Sequence, residues 1–278
     1  MFRGQVEAQG STNYAAIRPA NVLSYKIPLP PIREQRRLVQ TIGALDKTIS
    51  TARSLREQAK SEITALQASH SRRLFESLSA PVVPLQEVCE AIIDNLHSNP
   101  VYDEGGTVPC IRSPDVGFGV LDLDNARRTN EAEYARRIVR GAPRTNDIVL
   151  VREGGGTGKC ALVTPGPKFS LGQRVMMLRP RVEVVDPRYF LYQLLSPVIQ
   201  EDHIQPLSKG SASPHLNIGA LRRFPFVLPS VEDQKKIVAE FDRLQAQLDV
   251  VRKLQAETTA ELNAMLPAVL DKAFRGEL

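Results

Sequence analysis

The feature that most constrains this 278-residue chain is an internal repeat. Leu29-Pro30-Pro31-Ile32-Arg33-Glu34-Gln35-Arg36-Arg37-Leu38-Val39 recurs 199 residues later as Leu228-Pro229-Ser230-Val231-Glu232-Asp233-Gln234-Lys235-Lys236-Ile237-Val238. Held without a gap, the same offset pairs Leu45 with Leu244, Leu55 with Leu254, Glu62 with Glu261, Ala65 with Ala264 and Phe75 with Phe274. Two copies of one long element therefore flank one unique insert.

Each copy reads as a helix. Pro30 and Pro31, or Pro229 followed by Ser230, suit a helix entrance, because the opening turn has no use for proline's missing N–H and Ser230 can cap it. Ser230 and Asp233 approximate a capping box. Apolar residues then recur in steps of three and four, and the expected interface is Ile42, Leu45, Ile49, Leu55, Ile63 and Leu66 against Phe241, Leu244, Leu248, Val251, Leu254 and Leu262. Neither helix can bury such a stripe alone, so the two are expected to pair as an antiparallel coiled coil. A helix running from Ile32 to Phe75 rises about 1.5 Å per residue and would be on the order of 65 Å long, a spacer. Pro267 should kink the second copy or stop it early. Two ordinary amphipathic helices on one core would also show a three-four pattern. Recurrence of entrance and stripe at one offset favours matched arms.

Pro81-Val82-Val83-Pro84 marks a boundary, after which the chain changes to short mixed segments punctuated by Gly and Pro. Strands are expected around 148–151, 161–163 and 175–178, and a helix over 187–202. The fold class is α+β, one globular mixed α/β domain plus the two long helices. Residues 10–27 resemble the insert's own exit at 210–226, as if the chain begins on the tail of another globular domain.

Composition narrows the function. With 42% hydrophobic and 24% charged residues the chain can fill a core and is neither a disordered polymer nor a disulfide miniprotein. Cys89, Cys110 and Cys160 are odd in number and far apart, and the four histidines form no close pair, so no metal centre and no cofactor is expected. No apolar run approaches the roughly 18 residues of a membrane span, and the N-terminal sequence lacks a signal peptide's apolar stretch. A cytoplasmic protein without membrane contact is the expectation.

With these elements in place the sequence resembles the DNA-specificity subunits of type I restriction-modification enzymes. The resemblance rests on the I-P-L-P-P-x-x-E-Q-like entrances at 27–39 and 226–238 and on the long helices after them. In the insert, Thr107-Val108-Pro109-Cys110-Ile111-Arg112 resembles the family's early I-P-x-I-R strand. Asn146-Asp147-Ile148-Val149-Leu150-Val151-Arg152-Glu153-Gly154-Gly155 resembles its G-D-I-L hairpin, with Asn146 in place of Gly. The resemblance implies a non-catalytic subunit that binds double-stranded DNA through target-recognition domains, seats methyltransferase subunits and, through them, restriction and translocase subunits. It divides the chain into a recognition-domain remnant (1–28), a first helical region (29–80), one complete target-recognition domain (81–226) and a second helical region (227–278). Because the family plan has two recognition domains and this chain one, pairing of two copies, or with another half-subunit, is the natural repair. Two copies about a twofold axis would read a palindromic site with a gap. A coiled-coil scaffold without sequence-specific reading is the alternative.

The net charge of +5 does not locate DNA contact, because residues 81–215 hold 15 Lys and Arg against 16 Asp and Glu. Locally, Arg127, Arg128, Arg136, Arg137, Arg140, Arg144 and Arg152 outnumber the acids around them, and arginine forks suit phosphates and guanine edges. Intrahelical ion pairing on a solvated face is the plain alternative for each. The turn Gly154-Gly155-Gly156-Thr157-Gly158-Lys159 lets backbone N–H groups approach phosphate, and Gly155, Thr157 and Lys159 are candidates. Lys209, Ser211, Ser213 and His215 form a third group; Arg112 and Asn217 are weaker candidates.

Catalytic look-alikes fail on their spacing. The Gly-rich turn is no P-loop, since Glu153 stands at the first required Gly and Cys160 replaces the magnesium-binding hydroxyl. Asn99-Pro100-Val101-Tyr102 lacks the second Pro of the adenine-methyltransferase motif, and Pro114-Asp115 has no acid-x-Lys partner nearby.

Overall fold

The computed structural model describes residues 22–23, 26, 29–208 and 215–278. It forms two compact units: the described residues up to Ile63 with Gln247–Leu278, and Thr64–Ala246. In chain order the elements are α1 (Ile32–Ser77), β1 (Val82–Pro84), β2 (Cys89–Ile93), β3 (Val108–Ile111), β4 (Arg128–Thr129), α2 (Glu131–Arg137), β5 (Ile148–Val151), β6 (Cys160–Leu162), β7 (Ser170–Leu171), β8 (Val175–Pro180), α3 (Pro187–Leu195), α4 (Ile218–Leu221), β9 (Pro225–Val227) and α5 (Val231–Arg275). The α+β class and the two long helices agree with the sequence reading.

The second unit is built on a four-stranded antiparallel sheet in the order β2-β8-β5-β6. Its strands are apolar on both faces because both faces are covered. Ile148, Leu150, Cys160, Met176 and Leu178 point into one core with Tyr189, Phe190 and Leu194 of α3, while Val149, Val151, Ala161, Val175 and Met177 point into a second core. A three-stranded sheet, β4-β3-β7, supplies Ile111 and Leu171 to that second core. Pro81–Pro84 is more than a boundary: Val82, Val83 and Pro84 pair antiparallel with Val227, Phe226 and Pro225, so chain entry and exit are tied together. Asn146 takes φ +75, a left-handed conformation that Asn tolerates better than most residues with a Cβ.

The two long helices run antiparallel in each unit, since partner numbers fall on one as they rise on the other. Arg37 bonds the Leu278 carbonyl and Arg56 reaches Thr259 in the first unit; Gln67 meets Gln245 and His70 Nε2 lies 3.1 Å from Glu240 in the second. Ser230 caps α5 as expected, accepting from Asp233 N at 3.2 Å and donating to its carboxylate at 2.7 Å.

The seam differs from the expected one at four residues. Leu55, Leu66, Val251 and Leu254 are exposed, at 60%, 62%, 38% and 55%. The residues turned inward instead follow a strict seven-residue repeat, Gln35, Ile42, Ile49, Arg56 and Ile63 on α1 and Gln234, Phe241, Leu248, Gln255 and Leu262 on α5. Each pair is again 199 apart. Leu55 and Leu254 lie six residues after Ile49 and Leu248, one short of the heptad, which rotates them about 100° off the seam. Leu66 and Val251 fall three residues after Ile63 and Leu248, the offset of the second seam row, yet are exposed, and heptad phase does not account for them. Leu45 and Leu244 remain half-buried in the second seam row. Pro267 does not end α5, which continues to Arg275; the ring is exposed and only its own turn loses a hydrogen bond.

Candidate nucleic-acid interface

The candidate interface is built on β5 and the Gly-rich turn at its C-terminal end. Asp147, immediately before the strand, is buried and held by Arg179 Nε and Nη2 at 2.8 and 2.9 Å, and its carboxylate caps Arg144 N at 2.7 Å. Past the other end, Arg152 is buried, its guanidinium bonded to Asp94 at 2.9 Å and to Glu153. His215 bridges the same strand edge: its Nδ1 lies 3.2 Å from Glu153 Oε1, and Leu216 N donates to Arg152 O at 2.9 Å. Burial would raise the Glu153 carboxyl, but the Arg152 guanidinium outweighs it and holds Glu153 below its usual range. Two groups of candidates distant in sequence, 152–159 and His215, are thus brought together. Lys209, Ser211 and Ser213 lie outside the described residues.

The arginine cluster is mostly turned to internal tasks. Arg137 is buried, pairs with Glu133 at 2.9 Å and bonds the carbonyls of Leu96 and Ser98. Arg136 forks onto Glu133 at 2.6 and 2.7 Å and reaches Ser98 Oγ; Arg140 bonds the carbonyls of Asp94 and Asn95. α2 therefore clamps the segment 94–98. Arg127 lies over the Tyr102 ring at 3.7 Å, Arg128 bonds the Thr107 carbonyl, and Arg112 is held by Asp115 at 3.0 Å. Arg144 is exposed, 3.9 Å from Glu90.

These fixtures frame an open cleft of about 450 Å³ in the second unit. Asn99, Pro100 and Tyr102 form one wall, Arg112, Ser113 and Pro114 another, Glu153 to Gly156 with Lys159 a third, and Gln173 with Arg174 the last. Gly155, Lys159 and Arg112, three of the sequence candidates, line it. Asn99, Gln173 and Arg174 were not among the sequence candidates. Their one sequence signal is a polar pair, Gln173-Arg174, set between the apolar strands β7 and β8, where a tight turn must project both side chains outward. Asn217 instead caps α4, accepting from Ala220 N at 3.1 Å. Among the described residues no group of three His, Cys, Asp or Glu could hold a metal ion, and no helix is long and apolar enough to cross a membrane. Cys89, Cys110 and Cys160 are buried and free.

Residues 81–260, which include this cleft, match the family described as "Type I restriction modification DNA specificity domain". The chain is 26% identical over 278 residues to the EcoBI specificity subunit of Escherichia coli, an alignment covering 91% of this chain and 58% of the relative. It is 22% identical to the EcoKI specificity subunit of Escherichia coli K12, covering all of this chain and 63% of the relative. The chain thus spans about three fifths of the length of these curated relatives. Among solved structures, a chain from work on complex assembly and conformational transition of the type I R-M system aligns at TM-score 0.79 with 28% identity, covering 100% of this chain and 68% of that one. The HsdS subunit from Thermoanaerobacter tengcongensis aligns at TM-score 0.60 with 27% identity, covering 100% and 67%.

Proposed function

Because the chain belongs to the type I restriction-modification DNA specificity family, we propose that it reads one part of a split DNA site in the cytoplasm and seats methyltransferase and restriction subunits. Its domain division follows the sequence reading, with a recognition domain over 81–226 between helical regions 29–80 and 227–278.

One comparison within the chain carries this reading. In the second unit the recognition body lies on the helix pair: Phe75, Ile237 and Val238 are buried with Tyr189, Phe190 and Phe226, and Tyr192 stacks on Phe241 at 4.8 Å. The residues 199 positions away, Leu38, Val39, Ile42 and Phe274, line a groove of about 600 Å³ in the first unit with Gln35 and Ala273. There Val39 is 71% exposed and Phe274 49%, against 8% and 3% for Val238 and Phe75. The same face is covered by a recognition body in one place and, among the described residues, open in the other. A second recognition body on that groove gives two readers and a site in two parts. Pairing with a second copy or with another half-subunit is one way to supply it.

The test is co-expression with the cognate methyltransferase subunits and mapping of methylated bases in genomic DNA. A motif in two parts separated by a fixed gap is expected. Complex formation without a methylated motif would instead match a scaffold.

A further inference from the structure

A side chain that contacts DNA must be free to reach it, and in the recognition body few cations are. Among the described residues of 81–227, every Arg and Lys has a hydrogen bond, ion pair or ring contact except Lys159, Arg174, Arg222 and Arg223. Lys159 and Arg174 line the same cleft.

The backbone around them is fixed. Gln173-Arg174 forms the turn between β7 and β8, bracketed by Gly172 N to Ile111 O at 2.7 Å and pinned by Arg152 N to Arg174 O at 2.9 Å. The guanidinium lies against the Gly-rich turn, since a Cβ at Gly154 would stand 3.5 Å from Arg174 Nη1. In that turn Thr157, Gly158 and Lys159 spend their N–H groups on Gly154, Val151 and Gly156 carbonyls. The N–H groups of Gly155 and Gly156 have no acceptor among the described residues, and Gly155 opens onto empty space. Two cations and two amide donors converge, which is the composition of a phosphate site. The Glu153 carboxylate in the cleft is turned to Arg152, which it shares with Asp94, and to His215 Nδ1 at 3.2 Å. Beside this cluster, the Gln173 amide has no partner among the described residues and stands on a rigid turn, and a glutamine amide matches the adenine edge with two hydrogen bonds.

We propose that Lys159 and Arg174 hold a DNA backbone phosphate at the Gly155–Gly156 turn and that Gln173 reads a base edge beside it. The proposal rests on the DNA-reading function above and assigns separate roles within it. Phosphate contacts set affinity for any sequence and its salt dependence; the base contact sets sequence preference.

The full chain is titrated with a mixed-sequence duplex over a range of salt, and the same variants are carried in cells for methylation mapping. Lys159→Ala and Arg174→Ala should each reduce the slope of log affinity against log salt by about 1 and lower methylation at all sites without changing the motif. Gln173→Ala should leave the slope unchanged and relax one motif position by roughly tenfold or more. Arg222→Ala, outside the cleft, is the control. Melting temperature is measured for each variant; where an alanine variant melts early, Arg174→Gln or Gln173→Glu replaces it at nearly the same length. If the wild type binds no duplex and yields no motif, the DNA-reading function fails, and this proposal with it. If the wild type does both and the folded variants match it in slope and motif, the role assignment alone is overturned.

Discussion

Gln35 and Gln234 occupy the same position of two matched helices, 199 residues apart, and differ in what they bond. Both donate from Nε2 to a carbonyl five residues back, Pro30 at 2.7 Å and Pro229 at 2.9 Å. Gln234, fully buried, also accepts from Asp186 N at 2.7 Å and donates to Val184 O at 3.0 Å. Gln35, half-buried, makes only the first bond among those described. One glutamine locks a helix entrance and also a recognition body to it; the other holds an entrance alone.

Gln234→Ala should therefore cost about 1–3 kcal/mol, because it removes a fully buried amide and leaves the part-buried Asp186 N–H and Val184 carbonyl without this partner. Gln35→Ala should cost less than about 1 kcal/mol, as the Pro30 carbonyl remains near water. Denaturant melts of the two variants compare the positions directly. Equal losses would mean that the body's contact through Gln234 contributes nothing.

Arg137 and Arg136 are neighbours with opposite expected effects. Arg137→Ala leaves the buried Glu133 carboxylate to the outer Arg136 alone and frees two carbonyls of the segment 94–98, a loss of about 1–3 kcal/mol by the standard of unsatisfied buried groups. The outer Arg136 is 43% exposed, and its removal should cost less than about 1 kcal/mol. Thermal melting separates them. A marked loss for Arg136→Ala with none for Arg137→Ala would reverse this assignment.

These neighbours also show where sequence reading runs out. Glu133 and Arg137 are four apart on a capped helix, so their ion pair is legible, but whether the pair is buried depends on segment 94–98 packing over α2, about 40 residues away in sequence. The helices, their entrances and strands β5, β6 and β8 are legible because apolar periodicity and proline placement are local. The seam's phase is not: Leu55 looks a better seam residue than Arg56, and only continuity with Ile49 and Ile63 selects the arginine, which Thr259 then receives. Arg174 escapes notice because one arginine between strands carries no pattern; its freedom is visible only once its neighbours are seen to be paired.

Acid should act through Glu133. Burial opposes its ionisation, yet the hydrogen bonds from Arg136 and Arg137 win and hold the carboxyl below its usual 4.5. A carboxyl depressed in the folded state stabilises the fold above its unfolded pKa, and that contribution is lost as pH falls through the folded value. Stability should therefore decline from just above pH 4.5 downward. Glu133→Gln should be less stable at neutral pH but show a flatter acid limb in denaturant midpoints taken from about pH 6 to about pH 3. An acid limb as steep as wild type would place the titrating group elsewhere.

The three cysteines should be silent in the folded protein. Cys89, Cys110 and Cys160 are 4%, 0% and 0% exposed, and burial pushes the thiols up, Cys89 to about 12. Little thiolate then exists at about pH 8, and little surface admits a reagent. A chromogenic disulfide reagent should detect no thiol natively and three after denaturation. Rapid native reaction of any one would mean that its core opens readily.

The heptad phase makes the sharpest contrast between neighbouring substitutions. Ile49 is 1% exposed and Leu248 9%, repeat-equivalent positions on the two helices, whereas Leu55 and Leu254, equally apolar and equally repeated, point to solvent. Ile49→Asp or Leu248→Asp places a carboxylate in an apolar seam with no cation to receive it, and should cost several kcal/mol or separate the helices. Leu45→Asp and Leu244→Asp, half-buried in the second seam row, should cost less. Leu55→Asp and Leu254→Asp should shift the melting temperature by no more than a few degrees, since they leave water contact nearly unchanged. Circular dichroism melts in the far ultraviolet track helix loss across the whole series. Were Leu55→Asp to unfold the helices while Ile49→Asp did not, the seam would run one residue out of phase, through Leu55 and Leu254 instead of Arg56 and Gln255.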